Sequence, residues 1–469
     1  MTTSDVHRHA EDQSAEASDD QAASRSMRHD RRPTSARSLA TTIHALLGLD
    51  DIAVKSFDGG RAGPTDAAAT IVIRSRDALA RVVQRPSELG VVRAFVAGDL
   101  DVEGDLFSVL ELGFSQDVRL TASVLTHLLR AADLQSLKPI TPPAEEIALR
   151  GHLHSRRRDA AAISHHYDVS NDFYELLLGP SMTYSCALFH EPTDSLEKAQ
   201  ARKYELICAK LGLCPGMRLL DVGCGWGGMV LHAARNHGVT AVGVTISRRQ
   251  FEYASRRVAE AGLADRIEIR LEDYREIRRG PFDAISSIGM FEHVGRSQLA
   301  TYFHHLFELL TPNGRLLNHG IARPGEHEQP TPVGRCRASA RRVATALGAS
   351  WGSRIESPLM KRYVFPDGEL HEVGVVISVM QEAGFEAQHM ESLRWHYSLT
   401  LRQWLSNLED NWDEAVRLVG PGRAQVWRLY LAASALSFEH NSCSVFQVLA
   451  TRSDATTPVP LRPDWTESR

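Results

Sequence analysis

What this chain of 469 residues lacks narrows the field first. It holds only 6 cysteines, Cys186, Cys208, Cys214, Cys224, Cys336 and Cys443, scattered along its length. No Cys-x-x-Cys pair or Cys/His ligand spacing occurs, so reduced thiols, an intracellular setting and no bound metal are expected. Positive charge is not in excess: the formal net charge is −5. That argues against a protein that coats nucleic acid through its global charge. No apolar run is long enough to span a bilayer, and no signal-peptide core opens the chain. A cytoplasmic protein is expected. Any contact with the inner face of a membrane would then be peripheral and would rest on local basic patches.

What is present suits a soluble globular protein, 43% hydrophobic and 24% charged. The length exceeds what one hydrophobic core usually serves, so two domains are expected. Residues 1–38 read as a disordered tail, acidic at first (Asp5, Glu11, Asp12) and then basic (Arg25, Arg28, Arg31, Arg32). Residues 39–138 read as a small α+β domain, with a strand through Ile71-Val72-Ile73 and short helices over Asp77–Val83 and Leu106–Gly113. Residues 139–160, with Pro139, Pro142 and Pro143 ahead of Arg156-Arg157-Arg158, read as a linker. Residues 161–455 form the main domain, and 456–469 a flexible tail.

In that main domain the pattern alternates. Strand-like runs over Arg218–Gly223, Ala241–Ile246, Ile267–Leu271, Asp283–Ile288 and Arg315–Ile321 are separated by amphipathic stretches, such as Leu196, Tyr204, Ile207 and Leu211 at helical spacing. Such alternation predicts a doubly wound parallel sheet with ligands at the carboxyl ends of its strands. The stretch Leu399–His440, with Trp404, Trp412, Trp427 and Tyr430, predicts a helical cover over the sheet's edge.

The strongest motif is Leu219-Leu220-Asp221-Val222-Gly223-Cys224-Gly225-Trp226-Gly227-Gly228, a strand, a glycine-rich turn and the start of a helix. Glycines let the backbone pass close to a ligand and open the helix N-terminus towards it. The spacing is Gly-x-Gly-x-Gly-Gly, not the dinucleotide fingerprint Gly-x-Gly-x-x-Gly. It resembles motif I of the class I S-adenosylmethionine methyltransferases. That resemblance puts Gly223 and Gly225 against the methionine part of the cofactor and Asp221 near its amino group. The second strand ends without a carboxylate for the ribose; Gln250 is the substitute, since an amide both donates and accepts. After the third strand, Asp273 is a candidate acceptor for the adenine amino group and Tyr274 a candidate ring neighbour.

Further stretches narrow the resemblance. They are His165-His166-Tyr167-Asp168-Val169-Ser170-Asn171-Asp172-Phe173-Tyr174, Met182-Thr183-Tyr184-Ser185-Cys186, Gly289-Met290-Phe291-Glu292-His293-Val294-Gly295 and Arg362-Tyr363-Val364-Phe365-Pro366-Asp367-Gly368. With Gly243-Val244-Thr245-Ile246-Ser247 and Gln250 they resemble the cyclopropane fatty acid synthase family over about residues 160–452. The resemblance implies a class I methyltransferase fold: a doubly wound, mostly parallel seven-stranded sheet with a helical cover, plus a small N-terminal α+β domain. It adds Tyr184, Ser185 and Thr245 to the cofactor-binding candidates. It also implies a bound bicarbonate as base, held by residues matching Cys186, Glu292, His319, Ile321 and Tyr397. The implied substrate is an unsaturated acyl chain of a membrane phospholipid.

Two stretches, Leu317–Pro324 and Leu393–Leu401, look more like the enzymes that make 10-methylene-stearoyl lipid, precursors of tuberculostearic acid. Both products start from one carbocation, so cyclopropane stays the alternative. Tyr184, Phe291, Tyr363 and Phe365 are candidates to stabilise that cation. Gly320 is a candidate for setting the product, through the room its missing side chain leaves for substrate or anion. A reductase acting on the methylene product and a homodimer are compatible with the resemblance. The chain departs from the family in an arginine-rich insert, Arg335-Cys336-Arg337-Ala338-Ser339-Ala340-Arg341-Arg342. Two rival readings are a methyltransferase for a soluble small molecule and a non-catalytic lipid carrier with a relict fold. The first would not need the Tyr-Ser-Cys, Glu-His and Tyr-Val-Phe-Pro elements together; the second would be expected to have lost Glu292 or the glycine loop.

Overall fold

A computed structural model describes residues 38–115, 138–147, 158, 170–325, 357–456 and 459. The sequence readings for the first tail, Arg156, Arg157, the start of the His165 stretch, the arginine-rich insert and most of the last tail lie outside these residues.

The N-terminal unit is a four-stranded sheet in the order β2-β1-β3-β4, with β1 over Ile52–Ser56, β2 over Arg61–Ala62, β3 over Ala69–Ile73 and β4 over Leu100–Gly104. The expected strand is β3, and the two expected helices run over Arg76–Gln84 and Leu106–Ser115. Two more helices are present, Leu39–Leu47 and Glu88–Val96; the second was not visible in the sequence pattern because it is apolar nearly all round, as a helix buried between layers is.

The main sheet has seven strands in the order β10-β11-β9-β8-β5-β6-β7. β5 covers Arg218–Val222, β6 Thr240–Thr245, β7 Ile267–Leu271, β8 Phe282–Ile288 and β9 Leu310–Ala322. These five pair in parallel, whereas β11 (Ser444–Arg452) and β10 (Phe385–Ser392) add antiparallel. The expected fold class, a mostly parallel seven-stranded sheet with helices, therefore holds. The central strand β5 is buried from Leu219 onward, as a strand covered on both faces must be. The edge strand β10 buries only Phe385 and then alternates partly covered and exposed positions, a half-covered pattern that the sequence reading missed.

β5 lies between β6 and β8, where the winding reverses, and the loops after these strands open one crevice there. Helices Arg394–Asp410, Trp412–Val419 and Pro421–Glu439 form the expected cover. The apolar core under this cover is continuous with that of the N-terminal unit, from Leu39, Val54 and Phe95 to Phe173, Trp404 and Leu436. Polar clamps reinforce the seam. Arg93 grips Glu146 with two hydrogen bonds of 2.7 and 2.8 Å, and Arg428 reaches from the cover to Asp101 of β4. Among the described residues no helix is long and apolar enough to cross a membrane.

Candidate active site

Two cavities open in the crevice, and they share a wall made of Tyr184, Ser185, Gly289 and His293. The first follows the glycine loop. Gly223 and Cys224 donate their amides to the carbonyl of Val244, at 3.0 and 2.9 Å, which ties the loop to β6. Gly225 has φ +54°, and a Cβ there would meet nothing within 4 Å. A side chain would thus project into open space, the condition a ligand cradle requires.

Beyond the loop, Ser247 caps helix Arg248–Glu260 and accepts from the amide of Gln250. The cap brings the Gln250 side chain back to Thr245, whose hydroxyl donates to its Oε1 at 2.8 Å. The amide nitrogen is left for a ligand. Asp221 is 2% exposed and accepts from the Ser286 hydroxyl at 2.6 Å. Burial pushes its carboxyl up to about 6. Tyr184, Ser185, Asp221, Gly223, Gly225, Thr245, Gln250 and Tyr274 all line this cavity. Asp273 does not: Arg275, in the tight turn Tyr274–Glu276, holds its carboxylate through backbone and guanidinium, and Glu272 takes the place on the wall. The residues fit a nucleoside joined to an amino acid, with open space over Gly225 and polar groups at both ends.

The second cavity is more apolar, and Cys186, Glu292, His319, Ile321 and Tyr397 all line it. They come from a loop, a tight turn after β8, strand β9 and the cover, spread over more than two hundred residues of sequence. His319 and Ile321 share a face of β9 because side chains alternate along a strand. The amide of Ile321 donates to Glu292 Oε1 at 2.7 Å. Glu292 Oε2 is buried without a hydrogen-bond partner among the described residues, and burial raises the carboxyl to about 7. His319 Nε2 is likewise buried and unpartnered, and burial holds the imidazole neutral, down at about 3.

A buried relay sets the His319 tautomer. Lys210 donates to Gln447 Oε1 at 2.7 Å, so the Gln447 amide nitrogen faces His319 Nδ1 at 3.2 Å. An amide nitrogen can only donate, which leaves the ring proton on Nε2, aimed away from the relay. Sequence reasoning missed Gln447 because it missed β11, whose register places it directly opposite His319. Cys186 is fully buried, its thiol sits near the carbonyls of Ala187 and Leu393, and burial pushes its pKa well above the ordinary range. It is therefore no nucleophile.

Of the aromatic candidates, Tyr184 and Phe365 line this cavity, joined by Tyr430, to which Tyr184 hydrogen-bonds at 3.0 Å. Phe291 and Tyr363 are not on its wall. Tyr363 turns its hydroxyl to Glu146. A Cβ on Gly320 would lie 1.9 Å from the Phe291 ring. The missing side chain at 320 therefore makes room for Phe291, which corrects the expectation that it frees space for substrate or anion.

Lys203 is another residue that sequence reasoning passed over, although Ile207, four positions on, puts it on the buried face of its helix. The fold also brings donor atoms of Cys208, His232 and His237 within 4.8 Å of one another, across two helices and outside both cavities. No sequence spacing announces that cluster. Glu205 accepts from both imidazoles at 3.1 Å, and these hydrogen bonds account for the arrangement.

The family model described as mycolic acid cyclopropane synthetase matches residues 154–448. A probable fatty acid methyltransferase of Mycobacterium tuberculosis is 42% identical over 90% of this chain and 96% of its own. The cyclopropane-fatty-acyl-phospholipid synthase of Escherichia coli is 35% identical over 64% of this chain and 70% of its own. Among solved structures, a mycolic acid cyclopropane synthase complexed with SAH and CTAB aligns with a TM-score of 0.55 and 31% identity. That alignment covers 65% of this chain and 99% of the solved one.

Proposed function

Since the chain belongs to the mycolic acid cyclopropane synthetase family and is a methyltransferase that uses S-adenosylmethionine, we propose that it methylates the cis double bond of an oleoyl phospholipid and yields a 10-methylene acyl chain. One observation carries the reading. A cavity of mixed polarity with a glycine cradle and a more apolar cavity with an unpartnered carboxyl and imidazole meet at a common wall. A methyltransferase for a soluble small molecule has no use for the second cavity. A relict lipid carrier would not keep Glu292 and the glycine loop.

S-adenosylmethionine, when bound, supplies an electrophilic methyl group. An isolated alkene is a poor nucleophile, so the protein's first task is orientation. Tyr184, Ser185, Gly289 and His293 border both cavities, and the acyl chain's double bond would be held against them. Methylation leaves a carbocation on the acyl chain. Apolar walls keep water from it, and the faces of Tyr184, Phe365 and Tyr430 can stabilise it at close range.

The cation must then lose a proton. Bicarbonate fits the second cavity: His319 Nε2–H, the Tyr397 hydroxyl and the Glu292 carboxyl could hold an oxyanion. Bound there, it would supply the base. Glu292, poised near neutrality, shares or accepts the proton. The amide of Ile321 is already engaged by Glu292, so its contribution is to fix that carboxyl. Proton loss from the new methyl closes a cyclopropane ring; a prior 1,2-hydride shift leads to the methylene. The likeness of the stretches around His319 and Tyr397 to methylene-forming enzymes supports the second course.

The substrate's location implies peripheral contact with the inner membrane face from the cytoplasm, and a methylene product would suit a reductase acting next. The test uses oleate deuterated at both vinylic carbons and fed to a host expressing the chain. A methylene product with one deuterium moved to the adjacent carbon is expected. Each deuterium retained on its own original carbon, with cyclopropyl proton signals, would make the chain a cyclopropane synthase.

A further inference from the structure

Helix Leu196–Leu211 carries two lysines with side chains fully shielded from solvent, Lys203 and Lys210. Their surroundings differ in one respect. Lys210 pairs with Glu391 and donates to Gln447. Lys203 forms no ion pair among the described residues. Its Nζ donates to the Ser185 hydroxyl at 3.0 Å and sits 3.8 Å from the centre of the Tyr204 ring. An ammonium has three donors, and a buried cation without an anion is strongly disfavoured. Burial accordingly pulls Lys203 down to about 7.

Lys203 lines the same cavity as the glycine loop, Ser185 and Asp221. Asp221 is the complementary case: a buried carboxyl in that wall with a hydroxyl donor and, among the described residues, no ion pair, although the two groups feel each other's charge across the cavity. One cavity thus offers a cation and an anion that are not in direct contact with each other or with any other opposite charge among the described residues. The ligand that answers both is a zwitterion.

We propose that Lys203, with Ser185, binds the carboxylate of the amino-acid end of the cofactor, opposite the ammonium at Asp221. The inference rests on the reading that this cavity takes S-adenosylmethionine. Lys203 then makes cofactor affinity depend on that end of the molecule, and Lys210 is its internal control, a buried lysine whose anion the protein itself provides.

Two probes separate the possibilities. S-adenosylhomocysteine carries the amino-acid end; 5′-methylthioadenosine has the same adenosine thioether without it. Calorimetry on the full chain should show that Lys203→Met weakens S-adenosylhomocysteine on the order of 100-fold and leaves methylthioadenosine almost unchanged. Equal loss for both probes, or no loss for either, overturns the role of Lys203. Failure of the wild-type chain to bind either probe overturns the cofactor reading instead.

A second measurement needs no variant. A carboxylate beside Lys203 restores its proton, so S-adenosylhomocysteine should draw close to one proton from buffer at pH 8, read from titrations in buffers of different ionisation heat. The groups acting on Lys203 or feeling its charge are Asp221, Cys186, Tyr204, His232 and His319. Asp221 is already ionised at pH 8, the imidazoles are already neutral, and Cys186 and Tyr204 remain protonated. Methylthioadenosine should draw none. Absence of uptake with S-adenosylhomocysteine overturns the proposal.

Discussion

The cofactor cavity is centred on β5, β6 and the turns that follow them, whereas the acyl cavity gathers residues from Glu88 to Val445. The centre of the first is built by a short stretch of sequence. Its glycines, its capped helix and Gln250 fall within about thirty residues, and each does a local job. The second exists only after the sheet, the helical cover and the N-terminal unit have packed into one apolar core. Local chemistry therefore serves cofactor binding, and tertiary packing serves the acyl chain. Substitutions in one half should leave the other half's binding intact.

The largest expected effect lies in the acyl half. Glu292→Gln keeps size and hydrogen bonding to Ile321 but removes the ionisable proton, so kcat should fall by roughly 10²–10⁴ with S-adenosylhomocysteine affinity unchanged. The wild-type rate should rise with pH through about 7, where the carboxyl ionises, and the variant should lose that limb. The stability effect has the opposite sign. The folded chain keeps this proton up to about pH 7 and the unfolded chain only up to about 4.5, so Glu292 lowers stability progressively as pH rises across that window. Glu292→Gln should then melt higher than wild type at pH 8. A near-wild-type rate would reduce Glu292 to a structural residue.

Next in size is the mirror-image substitution. Gly225→Val puts a branched side chain at positive φ and into the cradle. Overpacking of this kind costs about 1–3 kcal/mol, so S-adenosylhomocysteine should bind more weakly by one to two orders of magnitude, measured by calorimetry. Binding of a fluorescent fatty acyl probe should not change. If both probes weaken, the two halves are not separable.

How legible each half was follows from the same contrast. Five parallel strands, the glycine loop, Gln250 and the helical cover were readable, because periodicity and turn chemistry are local. Asp273 was not placed correctly from sequence order alone, since Arg275 two residues on claims its carboxylate. Gly320 was visible as a glycine, but its neighbour Phe291 was not. The five residues of the acyl wall were legible only through family resemblance; no spacing rule links Cys186 to Tyr397. The relay behind His319 was invisible, because β11 meets β9 only in three dimensions.

That relay gives a third, smaller effect. Gln447→Glu offers Lys210 an anion and His319 an acceptor in place of a donor. The ring proton should move to Nδ1, and the Nε2 donor into the cavity is lost. One hydrogen bond of this kind is worth about 1–1.5 kcal/mol, so kcat should drop about tenfold with cofactor affinity unchanged. Nitrogen-15 shifts of the imidazole report the tautomer directly. An unchanged tautomer would remove the relay from the account.

The smallest effect concerns how lipid reaches the acyl half. The sequence offers Arg156-Arg157-Arg158 as a basic patch, of which Arg158 lies among the described residues. Arg158 makes two hydrogen bonds of 2.7 Å to Asp367, in an ion pair whose side chains are only 16% and 8% exposed. Its charge is already matched, and Asp367 belongs to the turn whose Phe365 and Gly368 line the acyl cavity. Arg158 should therefore act on the shape of that cavity and not on docking. An arginine near an anionic surface contributes about 1 kcal/mol, roughly fivefold in partitioning, and the attraction fades within a Debye length of about 8 Å at physiological salt. Sedimentation with vesicles containing anionic phospholipid should then show weaker, still salt-sensitive docking for Arg156→Ala with Arg157→Ala. Arg158→Ala should dock normally and raise the KM for lipid. If Arg158→Ala loses docking as much as the other two, the ion pair with Asp367 opens at the membrane and the patch acts as one unit.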